Sequence, residues 1–124
     1  MSWKRRIREV SNAEIALLIE LQRRGLTRCL ETQKGFKLDP EADGVHGTVV
    51  DYFWNAPYNY AVFLDGAAVH VKRRQSERDE LITKALQRRG IKVDRFMYKS
   101  PIRKRRLREI ADRIEQTIKE MNSR

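Results

Sequence analysis

Apolar residues recur along most of this chain, and their spacing changes several times. From Ser11 to Arg24 the spacing is helical: Ile15, Leu18, Ile19 and Gln22 share a face, with Leu17 and Leu21 beside it. Ser11 stands as an N-cap, and Glu14, three residues on, completes a capping box. Arg23 and Arg24 suit the negative end of a helix, and Gly25 offers the left-handed stop. "LTRCLETQKGF" alternates weakly and reads as a strand, and Asp39 to Gly47 is turn chemistry. "TVVDYFW" and "YNYAVFLD" are β-rich runs, joined by a short hairpin loop at Asn55, Ala56, Pro57 and Tyr58. This hairpin, Thr48 to Asp65, is expected at the centre of the sheet, with Val62 and Leu64 on one face and Phe63 on the other.

The spacing turns helical again from Ser76 to Arg89. Ser76 and Asp79 resemble a second capping box, Ile82, Ala85, Leu86 and Arg89 make one stripe, and Gly90 ends the element. "IKVDRFMY" alternates and predicts a strand. Ser100 and Pro101 then open an amphipathic C-terminal helix as cap and first-turn proline, with Leu107, Ile110, Ala111, Ile114, Ile118 and Met121 inward. "LQRRG" occurs at Leu21–Gly25 and again at Leu86–Gly90. The flanking residues do not match, so it is one helix-ending solution used twice rather than a repeat. The order α-β-β-β-α-β-α predicts an α/β domain over residues 1–124, a mixed sheet with helices on both faces.

Charge changes what this domain is expected to meet. Of 124 residues, 40% are hydrophobic, enough for a core, and 35% are charged, with a net charge of +10 that attracts polyanions. No apolar run approaches the ~18 residues of a membrane span, and the charged N-terminus lacks a signal-peptide core. The single cysteine, Cys29, excludes an internal disulfide and a cysteine-based zinc site. A soluble, cytoplasmic, nucleoid-associated protein is expected. Three stretches are rich in basic residues: an N-terminal arm over residues 1–10; Lys72, Arg73 and Arg74; and Lys99, Arg103, Lys104, Arg105 and Arg106 at the start of the last helix, residues 100–124. All are candidate phosphate contacts, and a solvated basic face is the plainer alternative.

Against that background two acids stand out. Asp51 lies inside "VVDYFW", and Asp65 ends the facing strand before Gly66. A buried carboxylate is costly unless it is paired or binds a metal, and two on adjacent strands can converge on a hard cation such as Mg2+ or Mn2+. Their meeting depends on register: they share a face only if Asp51 aligns with an odd-numbered residue such as Phe63. An Asp–Gly turn explains Asp65 equally well. His70 by itself is weak evidence.

The segments "AE..LL..L..RGL", "VVDYFW", "AVFLDGAAVH" and "RDELITKALQRRGIKVDRF", in that order, resemble the very-short-patch-repair (Vsr-like) branch of the PD-(D/E)XK nuclease superfamily. The resemblance covers Asn12 to Phe96 and implies a restriction-endonuclease-like αβββαβ core. It puts Asp51 at the metal-binding aspartate, Asp65 at the histidine or acid before glycine, His70 at the closing histidine and Glu14 at the helix-borne glutamate. Asp79 falls on an acid of the following helix. The superfamily's usual acid-x-lysine of the third strand corresponds here to Phe63 and Asp65, and the Vsr branch also lacks that lysine. The implied function is a metal-dependent DNA endonuclease, in DNA repair or in a mobile-element or restriction role. Asp51, Asp65 and Glu14 would then hold the cation, His70 would serve as general base or phosphate partner, and a homodimer would supply two sites for two strands. The alternatives are a catalytically inactive nucleic-acid-binding module on the same fold, and an adaptor whose basic helix docks an acidic partner.

Overall fold

The computed structural model describes residues 11–66 and 73–123, with the side chains of 73–75 outside the described set. The first helix, α1 (Asn12–Arg23), starts as the sequence predicts: the Ser11 side chain accepts the Glu14 amide while Glu14 reaches back to the Ser11 backbone. Strand β1 (Leu30–Lys37) follows, then a short helix α2 (Pro40–Asp43) capped by Asp39 within the expected turn region. Strands β2 (Gly47–Trp54) and β3 (Tyr60–Gly66) form the hairpin, α3 (Arg73–Arg88) crosses to β4 (Lys92–Tyr98), and α4 (Lys104–Asn122) ends the described chain. The sheet runs β1-β2-β3-β4, antiparallel up to β3, with β4 parallel to β3. It is a four-stranded mixed sheet flanked by helices.

Each sheet face carries its own core. On one, Tyr52, Trp54, Tyr60, Val62 and Leu64 pack with Leu17 and Leu21 of α1 and Ile110, Ile114 and Ile118 of α4. On the other, Phe53, Ala61 and Phe63 pack with Ile82, Ala85 and Leu86 of α3. Val62 and Leu64 therefore face away from Phe63, as alternation requires. Burying each large apolar side chain contributes about 1.5–3 kcal/mol. The polar tips are satisfied: Trp54 Nε1 donates to the Leu26 carbonyl at 2.7 Å, and Tyr60 donates to Asp94 at 2.6 Å.

Three element readings are corrected. The inward face of α1 is Ala13, Leu17, Glu20 and Leu21, whereas Ile15 and Ile19 are 48% and 55% exposed. Glu20 lies on this inward face, clasped by Arg23 and Arg24, and Arg24 also reaches Asp112 and Glu115 of α4. Helix α3 begins at Arg73, so Ser76 lies within its first turns rather than capping it. Helix α4 begins at Lys104, with Arg103 as an N-cap that makes no side-chain cap bond. Ser100 and Pro101 belong to the preceding loop, where their peptide bond is cis.

The two "LQRRG" segments do end their helices alike. Gly25 and Gly90 both have positive φ, and the Leu26 and Ile91 amides return to the Leu21 and Leu86 carbonyls, the wider bond of a Schellman motif. Both arginine pairs also hold an inward acid. Arg88 and Arg89 bind Asp43, which is 3% exposed and held well below the usual carboxylate range by those two guanidinium groups and the Asp39 amide. Among the described residues no helix is long and apolar enough to cross a membrane.

Candidate active site

Strands β2 and β3 pair as Tyr52↔Val62, Phe53↔Ala61 and Trp54↔Tyr60. Extended by one step, this register aligns Asp51 with Phe63, the odd-numbered alignment that places Asp51 and Asp65 in phase. The ladder stops before that step. Asp51 Oδ2 instead accepts the Leu64 amide at 2.8 Å, so a side chain takes the donor that the next rung would have used. Alternation breaks at the same point, since Val50 joins Phe53 in the α3-side core although only two residues separate them. The pairing with β3 is thus interrupted at Asp51, while the register with β1 continues unchanged past it.

Strand β1 is disturbed opposite. Gln33 falls between the pairs Thr32↔Tyr52 and Lys34↔Val50 and has φ +54°, a left-handed conformation that costs a non-glycine residue about 1–3 kcal/mol. In that pose its side-chain amide lies between two acids. Nε2 donates to Glu14 Oε2 at 2.6 Å and makes a long, 3.5 Å contact with Asp51 Oδ1. Glu14 is pinned from the other side, where the buried Tyr52 hydroxyl donates to its carbonyl at 2.6 Å. The result is a cavity of about 140 Å³ lined by Glu14, Gln33, Asp51 and Thr32, with Ile15 and Leu18 at its apolar side.

Burial pushes the Asp51 carboxyl up to about 7. The negative charges of Glu14 and Asp65 push the same way, and the Leu64 and Gln33 donors offset part of the rise. Asp65 does not line this cavity. Its Oδ2 lies 3.8 Å from Arg95 Nη1, and that same nitrogen lies 3.8 Å from Asp79. Burial raises Asp65 as well, and Arg95 opposes the rise. Arg95 is fixed over the Phe63 ring at 4.1 Å and donates to Thr83 Oγ1 and the Asp79 carbonyl. The expected Asp51–Asp65 pair is thus near enough to interact electrostatically, but the acid sharing the Asp51 cavity is Glu14.

Two carboxylates face this cavity, and Mg2+ is commonly held by one or two carboxylates with several waters retained; the Gln33 amide places its Nε2 donor between them. The volume admits an ion with a few waters, at about 30 Å³ each, and is too small for an organic ligand. Asp51 and Glu14 are the residues that would hold it. Among the described residues no group of three or more His, Cys, Asp or Glu side chains is gathered closely enough to hold a metal. His70 and Lys72 lie outside the described residues, as do the basic arm over 1–10 and the side chains of Arg73 and Arg74.

The basic helix start is described in full. Lys99, Arg103 and Arg106, with Met97 and Tyr98, line a second cavity of about 370 Å³. Arg106 donates to the Met97 carbonyl at 2.9 Å and lies 3.5 Å from Glu109. Arg105 also leans on Glu109, at 3.9 Å. The first turn of α4 contains no acid.

Neither Gln33 nor Arg95 was marked as a site residue by the sequence. The only signal for Gln33 was the weak alternation of β1, and for Arg95 a charge inside an otherwise strand-like run. No family model, curated protein or solved structure matches this chain.

Proposed function

We propose that this protein is a metal-dependent DNA endonuclease, with its elements arranged as in the restriction-endonuclease-like core. The observation that carries the reading is Asp51: a largely buried carboxyl at a break in the β2–β3 ladder, sharing a small cavity with the Glu14 carboxylate. Apart from the short helix α2 between β1 and β2, the order from α1 to β4 is αβββαβ, with an acid on the first helix and another on the second strand, which supports the Vsr-like resemblance. The net charge of +10 and the basic start of α4 supply attraction for a phosphodiester backbone.

A divalent cation in this cavity supplies polarisation of a phosphate oxygen and a bound water of lowered pKa. The residues prepare for it. Tyr52 and the capping box fix Glu14, while the Leu64 amide and Gln33 orient the two oxygens of Asp51. Asp51 must lose its proton before it can hold a cation, which makes the site responsive to pH near 7. His70 is the general base or phosphate partner that the resemblance supplies.

A specific observation favours a second reading, a catalytically inactive nucleic-acid-binding module. Arg95 places a fixed cation beside Asp65, so that carboxylate is already partnered by protein. Incubating wild-type protein with single-stranded, duplex and branched oligonucleotides, in Mg2+, Mn2+ or EDTA, separates the two. Divalent-dependent cleavage of any substrate supports the enzyme. Binding to all without cleavage supports the silent module.

A further inference from the structure

In each acid of the first cavity, one oxygen is held by the protein and the other is left to Gln33. Glu14 Oε1 accepts the Ser11 amide at 3.4 Å and the Ser11 hydroxyl at 3.2 Å, while its Oε2 accepts Gln33 Nε2 at 2.6 Å. Asp51 Oδ2 accepts the Leu64 amide at 2.8 Å, while its Oδ1 faces Gln33 Nε2 at 3.5 Å. Two carboxylate oxygens, one from α1 and one from β2, therefore converge on a single nitrogen. They are also the two oxygens open to a hard cation held by Glu14 and Asp51.

Gln33 reaches that place from the edge strand β1. Its φ of +54° takes it out of the pairing that Thr32 and Lys34 make with β2, and it lines the cavity. A glutamine amide has two ends of nearly the same shape, an NH2 that donates and an oxygen that accepts. Facing two carboxylates, it must present the NH2. Facing a cation, it must present the oxygen, because an N–H donor and a cation repel each other. Mg2+ also sits about 2.0–2.1 Å from its ligand oxygens, closer than either nitrogen contact, so Nε2 and the ion cannot share the place. The two ends exchange by rotation about the last side-chain torsion, which is broad and roughly two-fold. Among the described residues nothing donates to Gln33 Oε1, so the rotation breaks no bond at that end.

We infer that Gln33 is a two-state residue of the cation site: without metal its NH2 bridges Glu14 and Asp51 in the place of the cation, and on metal entry the amide turns over so that Oε1 joins the two carboxylates as a third ligand. The inference rests on the metal reading above and adds a residue to it. A lysine at this place would repel the cation, and an alanine would leave the two acids facing each other without a donor. The neutral amide does neither.

Calorimetric titration of Mg2+ into the full chain, without nucleic acid, tests this at pH 9, where Asp51 has lost its proton before the cation arrives. Gln33→Ala and Gln33→Gly, the second of which tolerates the positive φ, are each expected to weaken Mg2+ binding about 10-fold. Gln33→Glu, which carries an oxygen at both ends, should bind at least as tightly as wild type. In wild type the NMR signals of the Gln33 side-chain NH2 should shift as Mg2+ is added and their carboxylate bonds are lost. Alanine and glycine variants that bind Mg2+ as well as wild type, or better, overturn the inference, because Gln33 is then only an obstacle. So do NH2 signals that saturating Mg2+ leaves in place. Either result leaves the metal reading standing, whereas a wild type that binds no Mg2+ defeats that reading and this inference with it.

Discussion

Asp51 Oδ2 accepts the Leu64 backbone amide at 2.8 Å, just where the β2–β3 ladder stops. This bond anchors the carboxyl at the open end of the hairpin. A sheet built only for stability would use the backbone rung and keep an apolar residue at position 51.

The cost of that choice is measurable as a function of pH. The folded carboxyl titrates near 7, against about 3.8 in the unfolded chain, so between those values the folded protein holds more protons. Stability contributed by this group is therefore present at low pH and declines as pH rises through that window. Asp51→Asn, which removes the ionisation, is expected to be more stable than wild type at pH 8, by at most about 4 kcal/mol. The advantage should shrink toward pH 4. Urea unfolding at the two pH values checks this.

The same titration governs metal binding. The Asp51 carboxyl, pushed up to about 7 by burial, passes from mostly protonated to mostly ionised between pH 6 and 8. Mg2+ affinity, measured by calorimetry in two buffers of different ionisation heat, should rise about 10-fold between pH 6 and 8. It should be accompanied by proton release at the lower pH. An affinity indifferent to pH would place the cation elsewhere.

Gln33 should tune this acid. Its amide is one of two donors that lower the Asp51 pKa. Gln33→Ala is expected to raise it further above 7, as read from carboxyl carbon shifts in an NMR titration. Gln33→Gly should do the same while relieving the positive φ, so it should be the more stable of the two variants.

The rotation of α1 gives a test of packing. Leu17 is fully buried and Ile19 is 55% exposed. Leu17→Ala should cost about 2–5 kcal/mol and Ile19→Ala no more than about 0.5. The sequence favours the opposite weighting, and the reason is visible in it. Positions 13, 15, 16, 17, 18, 19 and 21 are all apolar, so periodicity alone scarcely chooses a face. Glu20 can share the buried face with Leu17 and Leu21 because two arginines at its own helix end neutralise it.

Elsewhere the outcome follows the strength of the local signal. The capping box at Ser11 and Glu14 and the glycine stops at Gly25 and Gly90 are satisfied within a few residues, and they were legible. The apparent cap at Ser76 and the proline at Pro101 obey the same local rules, yet the helices begin at Arg73 and Lys104, set by packing across the sheet. Asp51 and Glu14 could be singled out as acids. Their meeting through Gln33 depends on a kink in β1 that no pattern of apolar residues announces, and the partnership of Asp65 with Arg95 depends on the parallel pairing of β3 with β4.

The central claim is tested most directly by measuring cleavage and binding of one single-stranded oligonucleotide by wild type and Asp51→Asn, each in Mg2+ and in EDTA. The account predicts cleavage by wild type in Mg2+ only, none by Asp51→Asn, and binding in EDTA that the substitution leaves intact or slightly tighter, since one negative charge near the phosphate is gone. An Asp51→Asn protein that binds and cuts as well as wild type would contradict it.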